Sequence, residues 1–211
     1  MYYIAHRFGN DMAQLQRAGA SLVDRIEVDV HLDANQQPQA RHAKRLWFTS
    51  RYWEKWRLLP AETSFPPLAD ILDAAPESTH MWLDLKGYTR RLSRRALAKL
   101  EPNQPLTVSS KAWWILKPFQ SRANTTIIRS AGNRLELWLL LWLPSKGRFD
   151  GVVVHHRLLN NRLAAKLLSR GELYTWPVDS VGAADKLCRL GVTGVIVDDL
   201  SIVDAHRNAG S

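Results

Sequence analysis

Glu27 and Asp29 lie two residues apart in Asp24-Arg-Ile-Glu-Val-Asp-Val30, a segment that otherwise has the apolar, β-branched character of a buried strand. Residues i and i+2 of a strand point to the same face, so this spacing sets both carboxylates side by side in one pocket. Two like charges in an apolar strand are costly unless a cation or a hydrogen-bond network neutralises them, and a divalent metal ion meets that need. Asp84, in His80-Met-Trp-Leu-Asp-Leu85, supplies a third carboxylate. Ligands that are all oxygen suit a hard cation such as Mg²⁺ or Ca²⁺ rather than zinc. His6 directly follows the first apolar run, and His42 lies beyond the second, after Asp33-Ala-Asn-Gln-Gln-Pro38. Both are candidates for acid and base work on one substrate. Lys86 shares a strand face with Asp84 and can offset substrate charge.

The elements that must position these groups are legible from periodicity. Strands are expected near Tyr2 to Ala5, Arg25 to Val30, His80 to Leu85, Leu106 to Ser109, Thr125 to Arg129, Gly151 to Val154, Glu172 to Trp176 and Gly194 to Val197. Helical spacing recurs between them, over Asp11 to Ala20, Leu68 to Ala74, Leu92 to Leu100, Trp113 to Ser121, Leu135 to Leu143, Arg162 to Ser169 and Ala183 to Leu190. Strands alternating with helices argue for a parallel sheet, and eight strands are the number that closes a (β/α)₈ TIM barrel. The 211 residues make a small one, against roughly 250 for the type; a doubly wound open sheet is the alternative. Polar residues favour the barrel, because they gather at strand C-terminal ends: His6 and Arg7, Glu27 and Asp29, Asp84 and Lys86, Ser109 and Lys111, Arg129, His155, Trp176 and Asp198. In a barrel those ends form one face.

Residues 1–211 are expected to form a single domain, because no Pro, Gly and Ser-rich linker divides them. Disorder is expected only in the short tail from about His206. The lone cysteine, Cys188, excludes an intramolecular disulfide. No signal peptide is expected ahead of the first strand, and the apolar stretch from Leu135 to Pro144 is too short to span a bilayer, so a cytoplasmic protein is expected, peripheral at most to the inner membrane surface. A net charge of +9 implies an anionic partner: a phosphate-bearing small molecule, a membrane surface or nucleic acid.

In chain order, Ala5-His-Arg7, Ile26-Glu-Val-Asp-Val30, Pro38-Gln-Ala-Arg-His42, Phe65-Pro-Pro-Leu-Ala-Asp-Ile-Leu72, Leu83-Asp-Leu-Lys86 and Gly191-Val-Thr-Gly-Val-Ile-Val-Asp198 resemble the glycerophosphodiester phosphodiesterase family over nearly the whole chain. The resemblance implies a TIM barrel that hydrolyses glycerophosphodiesters with one divalent cation, Mg²⁺ or Ca²⁺. It implies Glu27, Asp29 and Asp84 as metal ligands, His6 and His42 as the acid/base pair, and Arg7 and Lys86 as phosphate-binding residues. Trp176 is expected on the substrate side. The family's glycine after His-Arg is here Phe8, its Glu-Asn-Thr is Gly9-Asn-Asp11, and the aspartate after its second histidine is Ala43. The short loop from His6 to Asp11, Asp84 and the segment Tyr174-Thr-Trp-Pro-Val-Asp179 are similar to the spider-venom type phospholipase D branch of the superfamily, which acts on choline-bearing phospholipids.

Between Lys44 and Arg57 basic residues interleave with Trp47, Phe48, Tyr52, Trp53 and Trp56. This insertion after the second strand is expected to be an amphipathic helix, either a lipid-facing lid at the membrane interface or a helix packed on the barrel. Nucleic acid is the less favoured partner. A catalytically inactive basic barrel that binds membrane or nucleic acid is the rival from another class; the joint presence of three carboxylates and two histidines argues for an enzyme. His155 and His156 read as solvated or supporting residues, and the basic run from Tyr88 to Arg95 as a solvated helix face.

Overall fold

The computed structural model describes residues 1–46, 51–54, 56–60, 62–142 and 147–209. Trp47, Phe48 and Lys55 of the insertion, and the end of the helix expected at Leu143, lie outside them.

Eight parallel strands close on themselves: β1 (Tyr2–Ala5), β2 (Arg25–Leu32), β7 (Met81–Leu85), β8 (Leu106–Ser110), β9 (Thr125–Ala131), β10 (Gly151–His155), β11 (Glu172–Val178) and β12 (Gly194–Val197). The closure is made by β1, which pairs in parallel with β12 on one side and β2 on the other. Crossovers run through α1 (Met12–Gly19), α2 (Leu68–Ala74), α3 (Arg90–Leu97), α4 (Arg134–Trp142), α5 (Asn161–Leu168) and α6 (Val181–Arg189). Between β8 and β9 the connection is instead a 3₁₀ helix, Trp113–Phe119, that contains Pro118 and cannot sustain regular α-helical bonding. The fold is thus the expected (β/α)₈ barrel.

Two expectations are corrected. As far as Ala209 the chain from His206 is not a loose tail: α7 (Ser201–Ala209) docks on the barrel, with His206 beside the Tyr3 ring and paired to Asp185 at 3.1 Å, while residues 210–211 of that expected tail lie outside the described residues. The described residues of the insertion are not helical. After β3 (Pro38–Ala40), which pairs antiparallel with the end of β2, the strands β4 (Lys44–Arg45), β5 (Tyr52–Glu54) and β6 (Arg57–Leu59) form a small antiparallel sheet. Trp56 turns the chain between β5 and β6 with φ of 70°.

The apolar core lies mainly between the sheet and the helices. Inside the barrel a smaller cluster forms from Ile4, Trp82, Ile128, Val153, Tyr174 and Ile196. Gly194 permits this filling, because a Cβ there would lie 2.8 Å from the Tyr174 ring. Below the cluster, at the N-terminal end, buried Arg25 donates to Thr107 Oγ1 at 3.0 Å and to Tyr174 Oη at 2.8 Å. Thr107 Oγ1, already accepting from Arg25, lies 2.9 Å from His80 Nε2. Burial first, and then the Arg25 charge, lower the His80 pKa from 6.5 to about 4.

The sign of the resulting linkage is definite. The unfolded histidine takes a proton as pH falls through 6.5 while the folded one stays neutral, so stability is lost on acidification between 6.5 and about 4. Denaturant unfolding at pH 7 and pH 5 should show a His80-dependent loss of about 1 kcal/mol, allowing for partial solvent screening. The His80→Gln variant should show a correspondingly shallower pH slope; an unchanged slope would assign the linkage elsewhere.

Candidate active site

On the inward face of β2 the alternation runs Arg25, Glu27, Asp29, His31, and on β7 it places Trp82 and Asp84, with Lys86 just beyond. Parallel register sets Glu27 beside Trp82 and Asp29 beside Asp84. The trio of Glu27, Asp29 and Asp84 offers three carboxylate oxygens all within 4.8 Å of one another. His6, Arg7, Glu27, His42, Asp84, Lys86 and Trp176 line a single cavity of about 570 Å³ at the C-terminal end of the barrel. Asp29 sits beneath that surface with none of its side chain exposed. The eight residues expected as metal ligands, acid/base pair and substrate contacts therefore come together.

Each carboxylate is held by specific donors. The amide of Arg7 donates to Glu27 Oε2 at 2.6 Å, and Arg7 adopts φ of 65° to do so. Asn10 clasps Asp29: its Nδ2 donates to Oδ2 at 2.9 Å, while its Oδ1 accepts from the Asp29 amide at 2.7 Å. Ser109 Oγ donates to Asp84 Oδ1 at 2.8 Å and accepts from Trp82 Nε1 at 2.8 Å. Lys86 Nζ bridges Asp84 and Asp29, 2.9 Å from Asp29 Oδ1, and Arg7 Nε is 3.6 Å from Asp29 Oδ2.

The electrostatics follow from burial and spacing. Burial, then the Asp29 charge, push the Glu27 carboxyl well above the usual carboxylate range. Burial acts in the same direction on Asp29, but the ammonium of Lys86 and the guanidinium of Arg7 outweigh it and hold Asp29 low. Burial opposes the Lys86 charge, and Asp84, Asp29 and Glu27 more than compensate, raising its pKa. The local cations thus satisfy Asp29 and leave Glu27 short of countercharge. An oxygen-only donor set with a deficit of positive charge fits a divalent hard cation.

The histidines differ. His6 Nδ1 lies 2.8 Å from Asp198 Oδ1, leaving Nε2 for a ligand in the cavity. His42 Nδ1 lies 3.5 Å from Glu54 Oε1, and burial, then Arg7, lower its pKa. Arg129 does not join the site: it lies on the outward face of β9, its guanidinium over the rings of Trp113 and Phe149. His155 contacts the edge of Trp176, and His156 Nδ1 approaches the Pro177 carbonyl. Sequence reasoning missed His31, Arg41 and Asn10 as members of the site. His31 had a signal, since it continues the two-residue alternation from Glu27 and Asp29; burial, then Arg41, lower its pKa to about 3.

If the trio is a cation site, Mg²⁺ or Ca²⁺ should raise the thermal midpoint of the protein and bind measurably by calorimetry. Glu27→Gln should abolish both effects, and persistence of calorimetric binding in a Glu27→Gln, Asp84→Asn double variant would place the cation elsewhere.

No model of a known protein family matches the chain, and no curated protein matches it. Solved structures do. A phosphodiesterase from Oleispira antarctica, in complex with the product sn-glycerol-3-phosphate, is 16% identical with a TM-score of 0.75, covering 97% of this chain and 96% of that one. A glycerophosphodiester phosphodiesterase from Thermotoga maritima is 14% identical with a TM-score of 0.76 and 97% coverage of both chains. Another from Parabacteroides distasonis is 16% identical with a TM-score of 0.72, covering 100% of this chain and 98% of that one. At these identities the likeness is one of fold.

Proposed function

We propose that the protein is a metal-dependent phosphodiesterase that converts glycerophosphodiesters to glycerol phosphate and an alcohol. The observation that carries the reading is the convergence of Glu27, Asp29 and Asp84 with His6 and His42 at the C-terminal face of the barrel. That is the catalytic face of TIM barrels generally, and the fold is one shared with glycerophosphodiester phosphodiesterases. The Oleispira antarctica enzyme, of the same fold, holds glycerol phosphate as product, which supports a small phosphodiester substrate here. A phospholipase D-like action on lysophospholipids or sphingolipids is the second reading, favoured by Trp176 on the cavity wall.

Glu27, Asp29 and Asp84 would hold the cation, Mg²⁺ or Ca²⁺, which when bound draws charge from a phosphoryl oxygen. Arg7 and Lys86 hold the remaining anionic oxygen and orient the phosphorus. His42, kept neutral by burial and Arg7, accepts the proton of the attacking hydroxyl. His6 delivers a proton from Nε2 to the leaving alcohol, and Asp198, accepting from Nδ1, holds the ring in the orientation that aims Nε2 at the cavity. Among the described residues none of the serines on the cavity wall is hydrogen-bonded to a histidine that could activate it, whereas a glycerophosphodiester carries a hydroxyl next to its own phosphate. Attack by that tethered group has the advantage of proximity over outside water; it breaks the bond to the leaving alcohol and yields a five-membered cyclic phosphate, which water then opens to glycerol phosphate.

His6→Ala and His42→Ala should each lower kcat by about 10²-fold or more without loss of folding. Phosphorus NMR during turnover should reveal the cyclic phosphate, and the deoxy analogue should react far more slowly. Equal rates for that analogue, with ¹⁸O from solvent entering in the first step, would establish direct attack by water.

None of the helices is long and apolar enough to cross a membrane among the described residues. We place the protein in the cytoplasm, with peripheral contact at the inner membrane surface through the small sheet. Trp56 there is 89% exposed, Trp53 meets it edge to face, and Arg57 is exposed beside them. Replacing Trp53 and Trp56 with Ala should weaken sedimentation with anionic vesicles and spare hydrolysis of a small soluble diester; equal loss of both would mark a packing role.

A further inference from the structure

The charges around the cavity divide into two sets. In the first, Glu27, Asp29 and Asp84 face Arg7 and Lys86. A divalent cation and a singly charged phosphodiester added to this set bring it to neutrality, so it accounts for the reacting phosphate and nothing more. In the second set, Arg41, Lys44 and Arg45 line the same cavity with no carboxylate in ion-pairing distance among the described residues. Lys111, also on the wall, is different because Glu136 pairs with it at 3.3 Å.

Arg41 is the anchor of this second set. It is 4% exposed, yet its Nη groups reach only the carbonyls of Ala43 and Leu32, and its Nε is buried without a hydrogen-bond partner. The rings of Tyr52 and Phe65 pack against the guanidinium, 5.2 and 5.9 Å from its Cζ. Burial and the neighbouring Arg45 lower the Arg41 pKa, against Tyr52 and the more distant Asp33, but a guanidinium stays protonated, so Arg41 and Arg45 together set a positive potential on this wall. Lys44 and Arg45 extend that positive potential outward along β4, where both are exposed.

We propose that Arg41, Lys44 and Arg45 form a second anion subsite, which selects phosphodiesters whose leaving alcohol itself carries a phosphate or comparable anionic group. This deepens the phosphodiesterase reading and rests on it. Glycerol is uncharged, so in a glycerophosphodiester the second anion belongs to the other alcohol. A cavity of about 570 Å³ accommodates two phosphates and the carbons between them. A choline group, by contrast, would meet cations on this wall, with every carboxylate on the lining belonging to the metal trio. The basic character of the whole chain therefore has a local use at the site.

Two measurements test the subsite separately from turnover. In Mg²⁺ buffer, calorimetry should show propane-1,3-diol bisphosphate binding about tenfold more tightly than glycerol 3-phosphate, as a charge-assisted contact to a second phosphate provides. The Lys44→Ala, Arg45→Ala double variant, which leaves buried Arg41 in place for folding, should lose that preference. Equal affinities in the unaltered protein, no binding of either ligand, or a preference retained by the variant would overturn the subsite. The turnover arm compares kcat/KM for bis(glycerophospho)glycerol with that for glycerophosphocholine; the ratio should favour the anionic substrate and fall about tenfold in the variant. A ratio indifferent to the substitutions would also overturn the inference. Absence of turnover on every diester would remove the phosphodiesterase reading alone, with the binding preference still deciding the subsite.

Discussion

Gathering three carboxylates, Glu27 and Asp29 buried and Asp84 partly so, at one end of a closed barrel is the constraint to which the rest of the site responds. An ionised carboxylate taken out of water costs several kcal/mol unless charges and hydrogen bonds replace its hydration. Here each receives a dedicated donor: the Arg7 amide for Glu27, Asn10 for Asp29 and Ser109 for Asp84. The left-handed backbone of Arg7 illustrates the balance of effects. That conformation costs about 1–2 kcal/mol in a residue with a side chain, whereas a hydrogen bond to a charged group contributes about 1.5–3 kcal/mol and spares Glu27 an unsatisfied oxygen. The bond outweighs the strain, and the turn is held in the form that brings His6 and Arg7 to the rim.

Trp82 ties this polar end to the apolar middle of the barrel. Its ring meets Tyr174 edge to face, with centroids 4.8 Å apart, while its Nε1 donates to Ser109, which in turn donates to Asp84. Tyr174 is itself fixed from below by Arg25 and by Glu172. A continuous path of packing and hydrogen bonds thus runs from the closed end to a carboxylate of the site. Positioning of this kind resists displacement, because interior side chains at crystal-like density cannot move singly. Lys86 is the freer member, reaching from the end of β7 with about a third of its side chain exposed. Its ammonium can therefore leave its place between Asp29 and Asp84 without disturbing the strands.

Much of this was legible in the sequence because barrel strands announce themselves twice. Their outward faces are apolar against the helices, and their inward faces alternate, so Glu27, Asp29, Asp84 and all eight strands could be located from spacing, with several strand ends one or two residues away from those expected. The small sheet after β3 was not legible. Its strands are two or three residues long and largely exposed, and interleaved Trp and Arg carry no two-residue period to distinguish them from an amphipathic helix. The docking of α7 depends on Asp185, Tyr3 and Asp24, all distant in sequence, so its polar residues read as a solvated tail. Arg129 was misplaced by one residue of alternation: Ile128 takes the inward position, and Arg129 turns outward to the rings of Trp113 and Phe149.

The departures from the resembled family after His6 and Arg7 also acquire a physical reason. A glutamate stands in the family where this chain has Gly9, and loss of that carboxylate would read from sequence as erosion of the site. In the structure the turn Phe8–Asn10 is pressed onto β2, and a Cβ at position 9 would come within 2.7 Å of the Val28 Cβ and 3.1 Å of the Glu27 carbonyl oxygen. Glycine allows that approach, which brings the Arg7 amide to Glu27 and the Asn10 amide to Asp29. Phe8, buried at 7% exposure, anchors the turn in the core on the far side of those contacts. The substitution thus exchanges a fourth acid near the site for closer neutral donors to the three that remain. The countercharge to those carboxylates then comes from Lys86, between Asp29 and Asp84, and from Arg7 beside Asp29.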